Sequence, residues 1–254
     1  MIYWVIVFSS LGSIAAISGA FLILKLTGIV RLAFLPQLLS YATGTLLGAA
    51  FLGMIPSALV KEAAAPVSAA ILLGIVIFFA LEKLLIWRHS HDRAFASHER
   101  AGTLILVGDA VHNAADGLVI ASAFLVSVPL GVAVLLAVIA HELPQELGDF
   151  VILPDAGLAP PRAFAFNMLS ALPTIPAAVL GFCWLETAQA ALPFVLALSS
   201  ASFIYIAIGD LIPSLQGRGN GKAAIVQLAL LLSGIATIAG VQFLTSGGKF
   251  QWSY

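Results

Sequence analysis

Eight apolar stretches, each close to the thickness of a bilayer core, decide most of what this chain can fold into. They run over 2–24, 36–60, 67–87, 103–126, 130–153, 163–186, 192–213 and 223–244. A helix needs about 20 predominantly apolar residues to cross the hydrocarbon of a membrane. With no water there to satisfy the backbone, only helices and closed barrels span it. The runs here are continuous rather than alternating, which excludes barrel strands. Composition points the same way, with 61% hydrophobic residues, 9% charged and a mean hydropathy of +1.09. A soluble domain carries about 25% charged residues. The expected fold is an all-α integral membrane protein, an eight-transmembrane-helix bundle forming a single transmembrane domain over 1–254 in a lipid bilayer.

The first stretch lacks a basic leading segment and reads as a retained helix rather than a cleaved signal. A net charge of −1 offers no footing for nucleic acid. The single cysteine, Cys183, excludes an internal disulfide and a thiolate metal cluster alike.

Basic residues orient the bundle. With the N-terminus outside, Lys25, Arg31, Lys83, Arg88, Arg93, Arg100, Arg162, Arg218 and Lys222 fall at inner ends and loops, and only Lys61 and Lys249 fall outside. The positive-inside rule then makes both termini extracytoplasmic and places the connection over 88–102 in the cytoplasm. Compact connections and the lack of a targeting segment suggest a bacterial inner (plasma) membrane.

Against that apolar background, the fourth and fifth stretches carry seven ionisable groups: Asp109, His112, Asp116, His141, Glu142, Glu146 and Asp149. A charge at the centre of a membrane helix costs about 2.5–3.5 kcal/mol on insertion scales, and such residues mark ion pathways. At about 100° per residue, Asp109, His112, Asn113 and Asp116 share an arc of roughly 100° on one helix. His141, Glu142, Gln145, Glu146 and Asp149 share roughly 140° on the next. The two helices run antiparallel, so both clusters meet near mid-membrane. Imidazole nitrogens with carboxylate or amide oxygens suit zinc, iron(II) and manganese better than copper(I) or calcium. Asp109, Glu146, Asp149 and Asp210 read as a path toward release. His89, His91 and His98 read as metal-collecting residues near the exit, beside the plainer reading of ordinary loop histidines.

Elsewhere the polar groups suggest packing. Gly12, Ser13, Ser18 and Gly19 give the first helix a small-residue face, and Gly44, Thr45, Gly48 and Gly53 do so for the second. Asn167 and Ser170, in a sixth stretch that holds Pro173 and Pro176, are expected to make interhelical hydrogen bonds. Pro144 removes a backbone bond to Ala140 and is expected to bend the fifth helix beside the cluster.

The pair His112-Asn113-x-x-Asp116-Gly117 and His141-Glu142-x-Pro144-x-Glu146-x-Gly148-Asp149 resembles the ZIP (Zrt/Irt-like) divalent-metal transporters. So do Gly44 to Gly48 with Ile55-Pro56, Phe78-Phe79 with Glu82-Lys83 and His89-Ser90-His91, and the 203–213 segment. The resemblance implies no prosthetic group, a transported Zn2+ (or Fe2+, Mn2+, Cd2+) as substrate, and a homodimer. It implies one ion on His112, Asp116, His141 and Gln145 and a neighbouring ion on Asn113 and Glu142. This chain departs from the family pattern in having Gln145 where one branch has histidine. It also has no carboxylate in the sixth helix before Glu186, and Ala49, Gly53 and Ser57 where relatives often carry Asp, His and Glu.

Two other readings compete. His141-Glu142-Leu143-Pro144-Gln145 superficially resembles the zinc-protease His-Glu-x-x-His, but Gln145 replaces the second histidine and Pro144 interrupts the turn. A proton or organic-ion carrier would use the same carboxylates as a relay. The expectation is a transporter, not an enzyme, moving divalent transition metal into the cytoplasm between the fourth and fifth helices.

Overall fold

A computed structural model describes residues 1–24, 28–92, 98–155, 158–215 and 221–245, all of them helices or short connections with no strand among them. Eight helices are long and apolar enough to cross a membrane. We number them α1 (Ile2–Leu24), α2 (Gly28–Gly48, Ala49–Met54 and Ile55–Lys61), α3 (Ala64–Asp92), α4 (His98–Val126) and α5 (Val128–Asp155). They continue as α6 (Pro160–Ala171 and Thr174–Thr187), α7 (Leu192–Tyr205, Ile206–Leu211 and Ile212–Leu215) and α8 (Gly221–Thr245). The connection expected over 88–102 is helical over 88–92 and 98–102, with 93–97 outside the described residues. His89 and His91 therefore sit on the last turns of α3, and His98 opens α4. Their side chains lie outside what is described. Of the basic residues that orient the chain, Lys61, Lys83, Arg162 and Lys222 are described and exposed, and the remaining side chains lie outside the description.

Helix α4 packs on α5 and α6, and α1 packs on α5 and α6, while α2 packs on α8 and α7, and α3 on α7. Contacts of α5 with α2 and α8, and of α4 with α7, join these two sets. Glycines set the closest approaches. A Cβ on Gly44 would meet the Leu231 carbonyl, and one on Gly234 would meet the Tyr41 carbonyl, so α2 and α8 cross backbone to backbone. The Tyr41 hydroxyl bonds Thr237 Oγ1 across the same crossing at 3.1 Å. Gly12 and Gly19 of α1 face Leu135 and Leu143 of α5, as the small-residue face predicts. Gly117 lets α4 touch the α6 backbone at Thr174 and Ala178.

Proline shapes the three helices that are not uniform. In α2 and α7 a π-helical stretch, Ala49–Met54 and Ile206–Leu211, runs directly into an Ile-Pro-Ser sequence, Ile55-Pro56-Ser57 and Ile212-Pro213-Ser214. A proline ring clashes with the carbonyl four residues back and lacks an N–H to give it, and a widened turn relieves both problems without ending the helix. In α6, Pro173 and Pro176 go further and split the span into two helices. Helix α5 runs through Pro144 as one continuous helix. On the outward faces of α3 and α8, Leu72, Leu73, Val76, Phe79, Ile225, Leu228 and Leu232 are exposed. That is the face an apolar solvent covers.

Candidate metal centre

The site forms where the polar halves of α4 and α5 face each other. On one side of it, α4 presents Val119, Ile120 and Phe124, and α5 presents Leu130, Val134 and Val138, all buried in the apolar core. On the other side the same two helices carry Asp109 and, in the opposite chain direction, Glu146 and Asp149. Both helices thus change from apolar to polar at the same level.

His112, Asp116, His141 and Glu142 each turn a donor atom to this level, all within 4.8 Å of one another. The two histidine Nε2 atoms are 3.2 Å apart. His141 Nε2 lies 3.1 Å from Asp116 Oδ2. His112 Nε2 lies 3.8 Å from both Asp116 Oδ2 and Glu142 Oε1. Donors about 2.1 Å from a tetrahedral ion are about 3.4 Å from each other, so these separations match the edges of a coordination tetrahedron. His141 Nδ1 lies 3.0 Å from the Ala137 carbonyl. An N–H there donates to that oxygen and leaves the Nε2 lone pair facing the centre. Phe203 of α7 packs against the same ring at 5.9 Å between centroids.

The remaining candidate residues have other partners. Asn113 donates from Nδ2 to the Asp109 carbonyl at 3.2 Å, and its Oδ1 accepts from the Thr174 hydroxyl at 2.9 Å. Gln145 donates from Nε2 to Asp109 Oδ1 at 2.6 Å and stands outside the four-donor group. Asn167 donates to Glu146 Oε2, the interhelical bond expected of it, whereas Ser170 bonds the Asn167 carbonyl within its own helix. Asp149 is buried farther along α5, and Asp210 is exposed in the π-helical stretch of α7. Asp210, with Asp116 and Asp109, is among the charges that act on His112.

Thr174 is the residue that sequence reasoning passed over. It is the first residue of the second half of α6 and is buried. The two prolines that split α6 put a hydroxyl beside Asn113, and a polar residue between Pro173 and Pro176 was the available signal.

Comparison with known proteins agrees with this geometry. The family model described as ZIP zinc transporter matches residues 87–242, which include both motifs. Zinc transporter ZIP13 of Pongo abelii is 31% identical over 80% of this chain and 66% of its own length. Mouse zinc transporter ZIP4 is 37% identical over 54% of this chain and 20% of its own. The metal cation symporter ZIP14 of Xenopus tropicalis is 37% identical over 58% of this chain and 33% of its own. The chain thus spans at most about two thirds of these relatives. All three are animal proteins, and they give the bacterial inner membrane expected from the compact loops no support. With the family match covering more than half its length and both histidine-containing motifs inside it, this chain belongs to the ZIP zinc transporter family, whose members are transporters and not enzymes.

Proposed function

We propose that this chain carries divalent transition metal, zinc foremost, across the membrane into the cytoplasm through a site between α4 and α5. The observation that carries the reading is the pair of imidazole nitrogens at 3.2 Å, with Asp116 and Glu142 completing the group. Unbound, this arrangement leaves a buried carboxylate oxygen, Glu142 Oε1, without a hydrogen-bond partner. A buried charge is tolerated when it coordinates an ion. Two nitrogens and two oxygens favour zinc and also accept iron(II), manganese and cadmium. ZIP13 and ZIP4 bear the name of zinc transporters, which supports zinc as the principal cargo.

The basic residues, nine of which fall on one side and two on the other, orient the chain, and inward movement is what its resemblance to ZIP transporters implies. Asn113 and Gln145 assist by holding their neighbours and by offering amide oxygen as the ion moves. Release proceeds past Asp109, Glu146, Asp149 and Asp210. His89, His91 and His98 would meet the ion on that side. The test is uptake into proteoliposomes from a panel of zinc, iron(II), manganese and cadmium. Zinc should accumulate fastest, and a vesicle that accumulates none of the four overturns the proposal.

A further inference from the structure

We propose a second cation station one helical turn from the first, built from Asp109, Glu146 and Asp149 with the side-chain amides of Gln145 and Asn167. It deepens the transport reading by assigning these residues as a binding site rather than a loosely acidic passage. Asp109 precedes His112 by three residues on α4, and Glu146 follows Glu142 by four on α5. Because the helices are antiparallel, both steps go the same way, by about 4.5 and 6 Å at 1.5 Å per residue. Two rings of donors are therefore stacked along one path.

Three of its atoms lack partners despite deep burial. Asp109 Oδ2, Glu146 Oε1 and Asn167 Oδ1 are out of contact with water and have no hydrogen-bond partner, in residues 5%, 1% and 0% exposed. Asn167 matters most here, because it is neutral and comes from a third helix. Its amide nitrogen is fixed on Glu146, so its oxygen is held beside the same carboxylate. Gln145 does the equivalent on the other flank, fixed on Asp109. The charges of Asp109 and Asp149 both act on Glu146, which puts the three acids within electrostatic reach of one another. Unpaired buried oxygens of this kind are rare in folded proteins and ask for a missing partner. Here the three unpaired atoms are all acceptors, and one bound cation would satisfy them together.

The chemistry of this station differs from the first. It has only oxygen donors, which suit manganese and other harder cations and hold zinc less firmly than imidazole does. Its acids are spread more widely than the 4.8 Å of the first group, leaving room for water on the ion. An ion stepping from two imidazoles to this hydrated oxygen ring moves from a tight site to a loose one. A conducting path needs that sequence, since each site must be weak enough to leave.

The experiment is Mn2+ binding to the full chain in detergent, read by electron paramagnetic resonance, with zinc stoichiometry measured alongside. Wild type should bind two ions per chain. The His112→Ala, His141→Ala variant should lose the first and keep one Mn2+. Adding Asp109→Asn and Glu146→Gln should abolish that remaining ion. Asp109→Asn with Glu146→Gln alone should keep one zinc at the histidines. The station is refuted if wild type saturates at one ion, or if the double-histidine variant binds no Mn2+. It is equally refuted if the two amide substitutions leave Mn2+ binding unchanged or remove both ions together. Because the key variant lacks both histidines, its result stands whether or not the chain transports zinc.

Discussion

Replacing His141 by Ala tests the metal centre most directly. Its ring is buried, its Nε2 faces both His112 and Asp116, and its Nδ1 is tied to Ala137. A four-donor zinc site has an apparent binding free energy of about 10–16 kcal/mol at neutral pH, or about 2.5–4 kcal/mol per donor if shared evenly. One tenfold change in affinity corresponds to about 1.4 kcal/mol. Losing one imidazole should therefore weaken zinc binding by about 10²–10³-fold. A nearby amide oxygen is a weaker donor than the imidazole it would replace. Phe203 has no donor, Asn113 is held by Thr174, and the nitrogen of Gln145 is held by Asp109. The assay is zinc titration of the purified chain together with initial rates of uptake over a range of zinc concentrations. The half-saturating concentration should rise by at least tenfold, while thermal stability without metal stays near wild type. If binding and uptake both remain within threefold of wild type, the four-donor assignment is wrong.

The other tests probe the fold and its orientation. Gly44→Ala should lower thermal stability by about 1–3 kcal/mol, because its Cβ meets unyielding backbone at Leu231. Gly240→Ala, where a Cβ meets nothing within 4 Å, should be neutral or stabilise by up to about 1 kcal/mol, and equal melting shifts for the two would contradict the α2–α8 crossing. Thr174→Val should leave Asn113 Oδ1 buried without its donor, at about 1–3 kcal/mol of stability, and Thr174→Ser should restore it. A Val variant as stable as the Ser variant would show that the bond does nothing. In a Cys183→Ser background, an impermeant thiol reagent should label Lys61→Cys from outside the cell, and Arg162→Cys only after permeabilisation; the reverse pattern would invert the topology.

Which parts of this were legible in the sequence follows from what each part depends on. The eight spans are set by local composition, and all eight lie on the helices found. Convergence of His112, Asp116, His141 and Glu142 needs only helical periodicity and the antiparallel order of two neighbours. Gly44 and Gly12 reveal close packing because a missing side chain has that consequence in any helix pair. Partner choice is different. Whether Gln145 turns to a metal or to Asp109 depends on how α4 and α5 are rotated against each other, and whether Asn113 meets Thr174 depends on the rotation of α6 about its own break. No periodicity encodes that rotation. The π-helical stretches of α2 and α7 were equally hidden, since a proline in a long apolar run is compatible with a kink, a break or a widened turn.

Burial is uneven around the four donors. The side chains of Asp116, His141 and Glu142 are 2%, 1% and 5% exposed, while that of His112 is 23% exposed. The candidate site is therefore closed around three donors and open at one. The open ligand is on the helix that leads to Asp109, and it feels the charge of Asp210, which is itself exposed. The apolar residues Phe124, Leu130 and Val134 are buried in the opposite direction. An ion cannot shed its water into that layer, because an unpaired charge in an apolar medium is prohibitively costly. In the proposed cycle, loading from the apolar side would require α4 and α5 to part from the helices that cover them. In the same cycle, unloading toward Asp109 would start at His112, the least buried of the four donors.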